Sequence, residues 1–171
     1  LDPNWNYLGL DIRASLISSA NREKEFLNLN NLAFLFCNAN VSLQAWLSKL
    51  RYCQLKRVSI QFPDPWFKRR HYKRRILQPE LLFLLSNTFE KGSQFFIQSD
   101  VYSILEEMEL LILSSNCFIK NHPNNTRFIA FNPFKITTER EKYAIINKLP
   151  IYRVLFERNS NKCIDLSTLK N

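Results

Sequence analysis

Glycine is nearly absent: the 171-residue chain has two, Gly9 and Gly92. A phosphate-cradling or dinucleotide-type Gly-rich loop is therefore excluded, since such loops need several glycines close together. The four cysteines (Cys37, Cys53, Cys117, Cys163) are scattered, with no CxxC pair. Neither His71 nor His122 stands at metal-ligand spacing from any of them, which argues against a zinc site or a disulfide framework. We expect no metal and reduced thiols. No apolar run approaches membrane-spanning length, the longest lying around Leu81–Leu85. No signal-peptide pattern opens the chain. It begins at Leu1, not Met, and we expect a processed protein or one that starts partway through a longer one.

What is abundant is apolar and basic. A hydrophobic fraction of 46% and fourteen phenylalanines place the chain among globular proteins. Its length suits one domain, 1–171, with a sizeable core. The formal net charge of +9 is concentrated locally: residues 68–75 carry six Lys or Arg. Such a patch favours a polyanionic partner over a small neutral substrate.

The hydrophobic pattern alternates strand and helix. Strands are expected at Trp5–Leu10 (ending on Asp11), Leu32–Cys37, Arg57–Phe62, Gln94–Gln98, Phe128–Phe131 and Tyr152–Phe156. Helices are expected over 13–28, over 43–50 with Ser42 as cap, from Pro79 to about Glu90 with Gly92 just beyond, over Ile104–Leu113 and over Glu139–Leu149. This βαβα rhythm implies a mainly parallel α/β sheet covered by helices on both faces. Ligands in such sheets bind beyond the carboxyl ends of the strands. The predicted strand ends carry Asp11, Asn38, Asp64 and Asp100, which would share one rim. Asp and Asn are common strand terminators, so any one of them alone says little.

The most informative segment is Gln61-Phe62-Pro63-Asp64-Pro65-Trp66, followed at once by Lys68, Arg69, Arg70, Lys73, Arg74 and Arg75. It holds one carboxylate at a strand end, beside an aromatic ring and a dense cationic patch. That arrangement suits work on a planar base within a polyanion.

This segment resembles the bacterial-type tRNA (guanine-N7-)-methyltransferase family. The resemblance extends to Tyr7-Leu8-Gly9-Leu10-Asp11-Ile12-Arg13, Asn38-Ala39, Ser99-Asp100, Thr138-Glu139-Arg140-Glu141 and Pro150-Ile151-Tyr152-Arg153. It spans nearly the whole chain in family order. It implies a Rossmann-like S-adenosylmethionine-dependent methyltransferase sheet whose first strand and Gly-rich loop are missing from this chain. It implies S-adenosylmethionine as cofactor, tRNA as partner, and methylation of guanine N7 at position 46 of the variable loop. The expected location is a bacterial cytoplasm or a plastid, with no membrane association.

By the same resemblance, Asp11 matches the acidic residue on the ribose hydroxyls and Asn38 the position that meets adenine, where the family often has Asp. Asp64 matches the residue assigned to catalysis or to the cofactor edge. Lys68, Asp100, Thr138 and Glu141 match substrate-binding positions. Thr138 and Glu141 equally fit a helix capping box. Trp66 either stacks on the target base or anchors the turn. Arg69, Arg70, Lys73, Arg74 and Arg75 are expected on phosphates, with part of the run starting a helix. Two other readings compete: a truncated or degenerate relative that binds tRNA without methylating it, and a polybasic surface that docks on anionic membranes.

Overall fold

A computed structural model describes residues 2–49, 53–122, 126–134 and 136–168. The chain divides into two compact units, Leu1–Arg51 and Tyr52–Asn171, each described by itself.

In the first unit, strand β1 (Tyr7–Asp11) pairs in parallel with β2 (Leu32–Phe36) across helix α1 (Ala14–Phe26), a βαβ unit. Gly9 lies opposite Phe34 in the register. A Cβ on Gly9 would stand 2.5 Å from Cδ1 of that ring, so the close approach requires glycine here. Helix α2 (Ala39–Leu47) follows β2. It starts earlier than the predicted 43–50, because the Asn38 side chain, not Ser42, caps it by accepting from the Asn40 N–H (3.1 Å).

In the second unit the strands are β3 (Leu55–Gln61), β4 (Phe89–Ser99), β5 (Phe118–Lys120) and β6 (Tyr152–Arg158). They form one sheet in the order β3-β4-β6-β5. β3 and β4 are parallel, whereas β6 runs antiparallel to β4 and to β5. The sheet is therefore mixed. Helices α3 (Pro79–Thr88), α4 (Tyr102–Ser114) and α5 (Glu139–Ile146) accompany it, and α3 and α4 pack on β4. Pro79 opens α3 as expected. The helix passes straight into β4, so Gly92 lies within that strand, at φ +84°. There the register jumps from Leu55–Phe89 to Arg57–Gln94, a bulge that glycine accommodates.

Phe128–Phe131 is not the predicted strand. Its Ile129 N–H reaches the Arg153 carbonyl (3.0 Å), but no ladder forms among the described residues. The pairing next to β6 comes instead from β5, which is too short to show an alternating pattern.

The scarcity of glycine shows at the helix ends. Asn28, Asn116 and Lys148 occupy the left-handed region (φ 51°, 64° and 53°) just past α1, α4 and α5, where glycine is the usual choice. The core centres on β4, whose Phe95, Phe96 and Ile97 are fully buried along with Leu105, Ile112, Val154 and Phe156. Phe95, Phe89 and Phe118 meet as tilted and edge-on rings 5.7–6.0 Å apart. Burying one such ring stabilises the fold by roughly 1.5–3 kcal/mol.

Candidate active site and nucleic-acid face

The parallel pairing of β1 with β2 brings Asp11 and Asn38 to the same end of the first unit. Asp11 is gripped by Arg13. Its Oδ1 accepts from the Arg13 backbone N–H (2.7 Å) and Nε (3.0 Å), and its Oδ2 from Nη2 (2.9 Å). The Arg13 guanidinium, hydrogen-bonded to it, holds this carboxyl below the ordinary carboxylate range. Asp11 remains partly open to solvent, beside a cleft lined by Gly9, Leu10, Leu16, Ile17, Ala20 and Phe34. Asn38 is exposed. Its Oδ1 keeps a second lone pair besides the one that caps α2.

In the second unit, β3 and β4 end side by side, with Gln61 opposite Gln98. The chain then turns through Pro63-Asp64-Pro65. Phe62 and Trp66, which flank that tripeptide, both adopt left-handed backbone angles (φ 48° and 41°). Bulky residues in this region are strained, at about 1–3 kcal/mol each, and persist only when their surroundings over-determine them. Two contacts do so. The Phe62 N–H donates to the Gln98 carbonyl (2.8 Å), and Arg75 Nε donates to the Pro65 carbonyl (3.1 Å). The Asp64 carboxylate is exposed, and no group among the described residues hydrogen-bonds it.

Trp66 is half-buried. Arg74 lies over its ring (5.1 Å) and His71 meets it edge-on (5.5 Å), an anchoring arrangement within the turn. The basic run folds as a short 3₁₀ helix, Arg69–Arg74, so part of it is helical as expected. Lys68, Arg69, Arg70, Lys73 and Arg74 are exposed. Lys68, Arg69 and Lys73 have no carboxylate partner among the described residues. Arg75 departs from the expected phosphate role. It is 8% exposed, pairs with Glu107 on α4, and lies 3.7 Å over the Tyr72 ring. Its charge faces inward, because the 3₁₀ helix ends there and α4 offers the carboxylate.

The remaining expected residues are already engaged within the protein. Asp100 is ion-paired with Arg140. Thr138 caps α5, its Oγ1 accepting from the Glu141 N–H (3.1 Å). Glu141 does not complete a capping box. It is 1% exposed and turned into the sheet. Its Oε1 accepts from Arg153 (2.8 Å), and its Oε2 accepts from Asn132 (3.0 Å) and Gln98 (3.2 Å). Burial acts to raise this carboxyl, but the hydrogen bonds from Arg153, Asn132 and Gln98 outweigh it and hold it below its ordinary value. Gln61, Gln98, Asn132 and Arg153 are thus tied to the Glu141 carboxylate or to one another. Gln61 and Arg153 lie in motifs noted in the sequence without a role, and Gln98 and Asn132 are not singled out there. For Gln98 one signal was available: a glutamine ending the apolar run Phe95-Phe96-Ile97.

The chain matches the model of a family described as a putative methyltransferase over residues 1–154. The fold agrees. An rRNA methylase from Streptococcus thermophilus superposes with a TM-score of 0.54 at 11% identity, covering 91% of this chain and 74% of that one. Closer in sequence is a tRNA (guanine-N(7)-)-methyltransferase of Prochlorococcus marinus (strain MIT 9313), 49% identical over 99% of this chain and 72% of the relative. That of Parasynechococcus marenigrum (strain WH8102) is 45% identical over 100% of this chain and 72% of the relative. The chain belongs to the tRNA (guanine-N(7)-)-methyltransferase family.

Proposed function

We propose that this protein methylates guanine N7 in tRNA with S-adenosylmethionine as donor. The observation that carries the reading is the Asp64 carboxylate: it is unpartnered among the described residues, fixed between two strained backbone positions, and followed directly by unpaired cations. Names of relatives at 45–49% identity support the substrate and the reaction.

The residues of the first unit fit the cofactor. Asp11 stays ionised and partly open beside a cleft, as a carboxylate that accepts from a pair of ribose hydroxyls must. Asn38 retains acceptor capacity for an adenine amino group. The cofactor supplies an electrophilic methyl group on a sulfonium. Guanine N7 carries a lone pair and no proton, so no general base is needed. Asp64 instead accepts from the guanine N1–H and N2–H groups, orients the base, and favours the positive charge that develops on it. Lys68, Arg69, Arg70, Lys73 and Arg74 contact phosphates. Asp100, Thr138 and Glu141 shape the substrate side, Glu141 from within the protein.

The test is direct. The protein is incubated with S-adenosylmethionine and unmodified tRNA, and the digested RNA is read for 7-methylguanosine by mass spectrometry. Its appearance is expected. Its absence, with salt-sensitive tRNA binding retained, overturns the catalytic reading in favour of an RNA-binding relative.

A further inference from the structure

We infer that Gln98, together with Arg153, is a positioning residue that locks the Asp64 turn to the Thr138–Glu141 segment. The inference rests on the function proposed above and adds residues to it. Gln98 is fully buried in β4, directly after the fully buried Phe95-Phe96-Ile97. Every polar atom of its side chain is used. Nε2 donates to Gln61 Oε1 (2.7 Å) and to Glu141 Oε2 (3.2 Å), and Oε1 accepts from Arg153 Nε (3.1 Å). Its backbone carbonyl holds the left-handed Phe62. One residue thus grips both positions immediately before Pro63-Asp64, and the carboxylate at the start of α5.

Arg153 closes the arrangement. It is 7% exposed, bonds Glu141 through Nη2 and Gln98 through Nε, and donates from Nη1 to the Ala130 carbonyl (3.0 Å). Buried ion pairs rarely add stability over an apolar replacement of similar shape, whereas a shared, fully satisfied network fixes geometry. Leucine at position 98 would keep roughly the same bulk but lose the tie to Gln61, Glu141 and Arg153. Misplacing a reacting group by about 1 Å costs on the order of 100-fold in rate, which is the scale on which such a tie acts.

The test compares the full chain with Gln98→Leu and with the milder Gln61→Leu, which serves if the first variant fails to fold. Gln61→Leu removes the side-chain link to Gln98 and an exposed bond to Ser59 Oγ (3.2 Å), and leaves the Glu141–Arg153 bond in place. Amide hydrogen exchange over residues 61–67 is read beside exchange in β6. We expect exchange in the turn to rise about 10-fold or more while β6 is unchanged, because local opening follows the loss of local bonds. We further expect kcat for methyl transfer to fall roughly 10- to 100-fold, with the KM for tRNA within about 3-fold of the original. Unchanged exchange in the turn overturns the inference, whether or not the protein methylates tRNA. Faster exchange with unchanged kcat overturns the positioning role. If the unaltered protein yields no 7-methylguanosine, the functional reading fails by itself, and the exchange arm still decides whether Gln98 holds the turn.

Discussion

Arg75 Nε donates to the Pro65 carbonyl at 3.1 Å, so the last arginine of the basic run holds the turn that precedes the run. This separates Arg75 from its neighbours in function. Arg75→Ala should lower stability by roughly 1–3 kcal/mol, through the lost bond to Pro65 and the lost packing on Tyr72. It should leave the salt dependence of tRNA binding unchanged. Arg69→Ala should do the reverse, reducing the log–log salt slope by about 0.7–0.9 with little effect on folding. Urea unfolding and binding titrations across a salt series check both.

Asp64→Ala should cut turnover by about 10²–10³ and shift the tRNA Kd by less than about 3-fold, since the carboxylate acts on the base and not on phosphate. Single-turnover kinetics and filter binding distinguish the two quantities. Turnover equal to that of the unaltered protein would remove Asp64 from the chemistry.

Gly9→Ala forces a methyl group against the Phe34 ring. The expected loss is about 1–3 kcal/mol, typical of overpacking. A second substitution, Phe34→Leu, should recover part of that loss, because it removes the ring atoms that clash. A denaturation double-mutant cycle reads this coupling.

Glu141 supplies a pH dependence whose sign can be worked out. Its folded value lies below the ordinary 4.5, so the ionised form stabilises the fold at pH above 4.5. That contribution is lost as pH falls through the lowered value. The stability difference between the unaltered protein and Glu141→Gln should therefore be largest near neutrality and should narrow below pH 4.5. Urea unfolding across an acid pH series measures it. A constant difference would mean that the ionised carboxylate contributes nothing net.

The sequence reveals the site where local chemistry is enough. Pro63-Asp64-Pro65-Trp66 announces a stiff turn at a strand end, and the structure places it after β3. Pro79 likewise announces the start of α3. The misses have non-local causes. Nothing in the basic run marks Arg75 as the inward member, because its partner Glu107 lies 32 residues away. Glu141 reads equally well as the third position of a capping box, and only Arg153 and Gln98, brought in by β6 and β4, turn it inward. Phe128–Phe131 has strand-like composition, yet β5 occupies the place beside β6.

The left-handed angles at Phe62 and Trp66 mean that this loop does not own its shape. A free peptide of residues 61–75 would relax to ordinary backbone angles. Transplanted to another scaffold, the segment would misfold unless equivalents of the Gln98 carbonyl and the Arg75 side chain came with it. An antibody raised against the native loop would therefore report whether β4 and Arg75 are in place. For anyone grafting the segment, the smallest transferable piece is the loop together with β4, the 3₁₀ helix and Arg75.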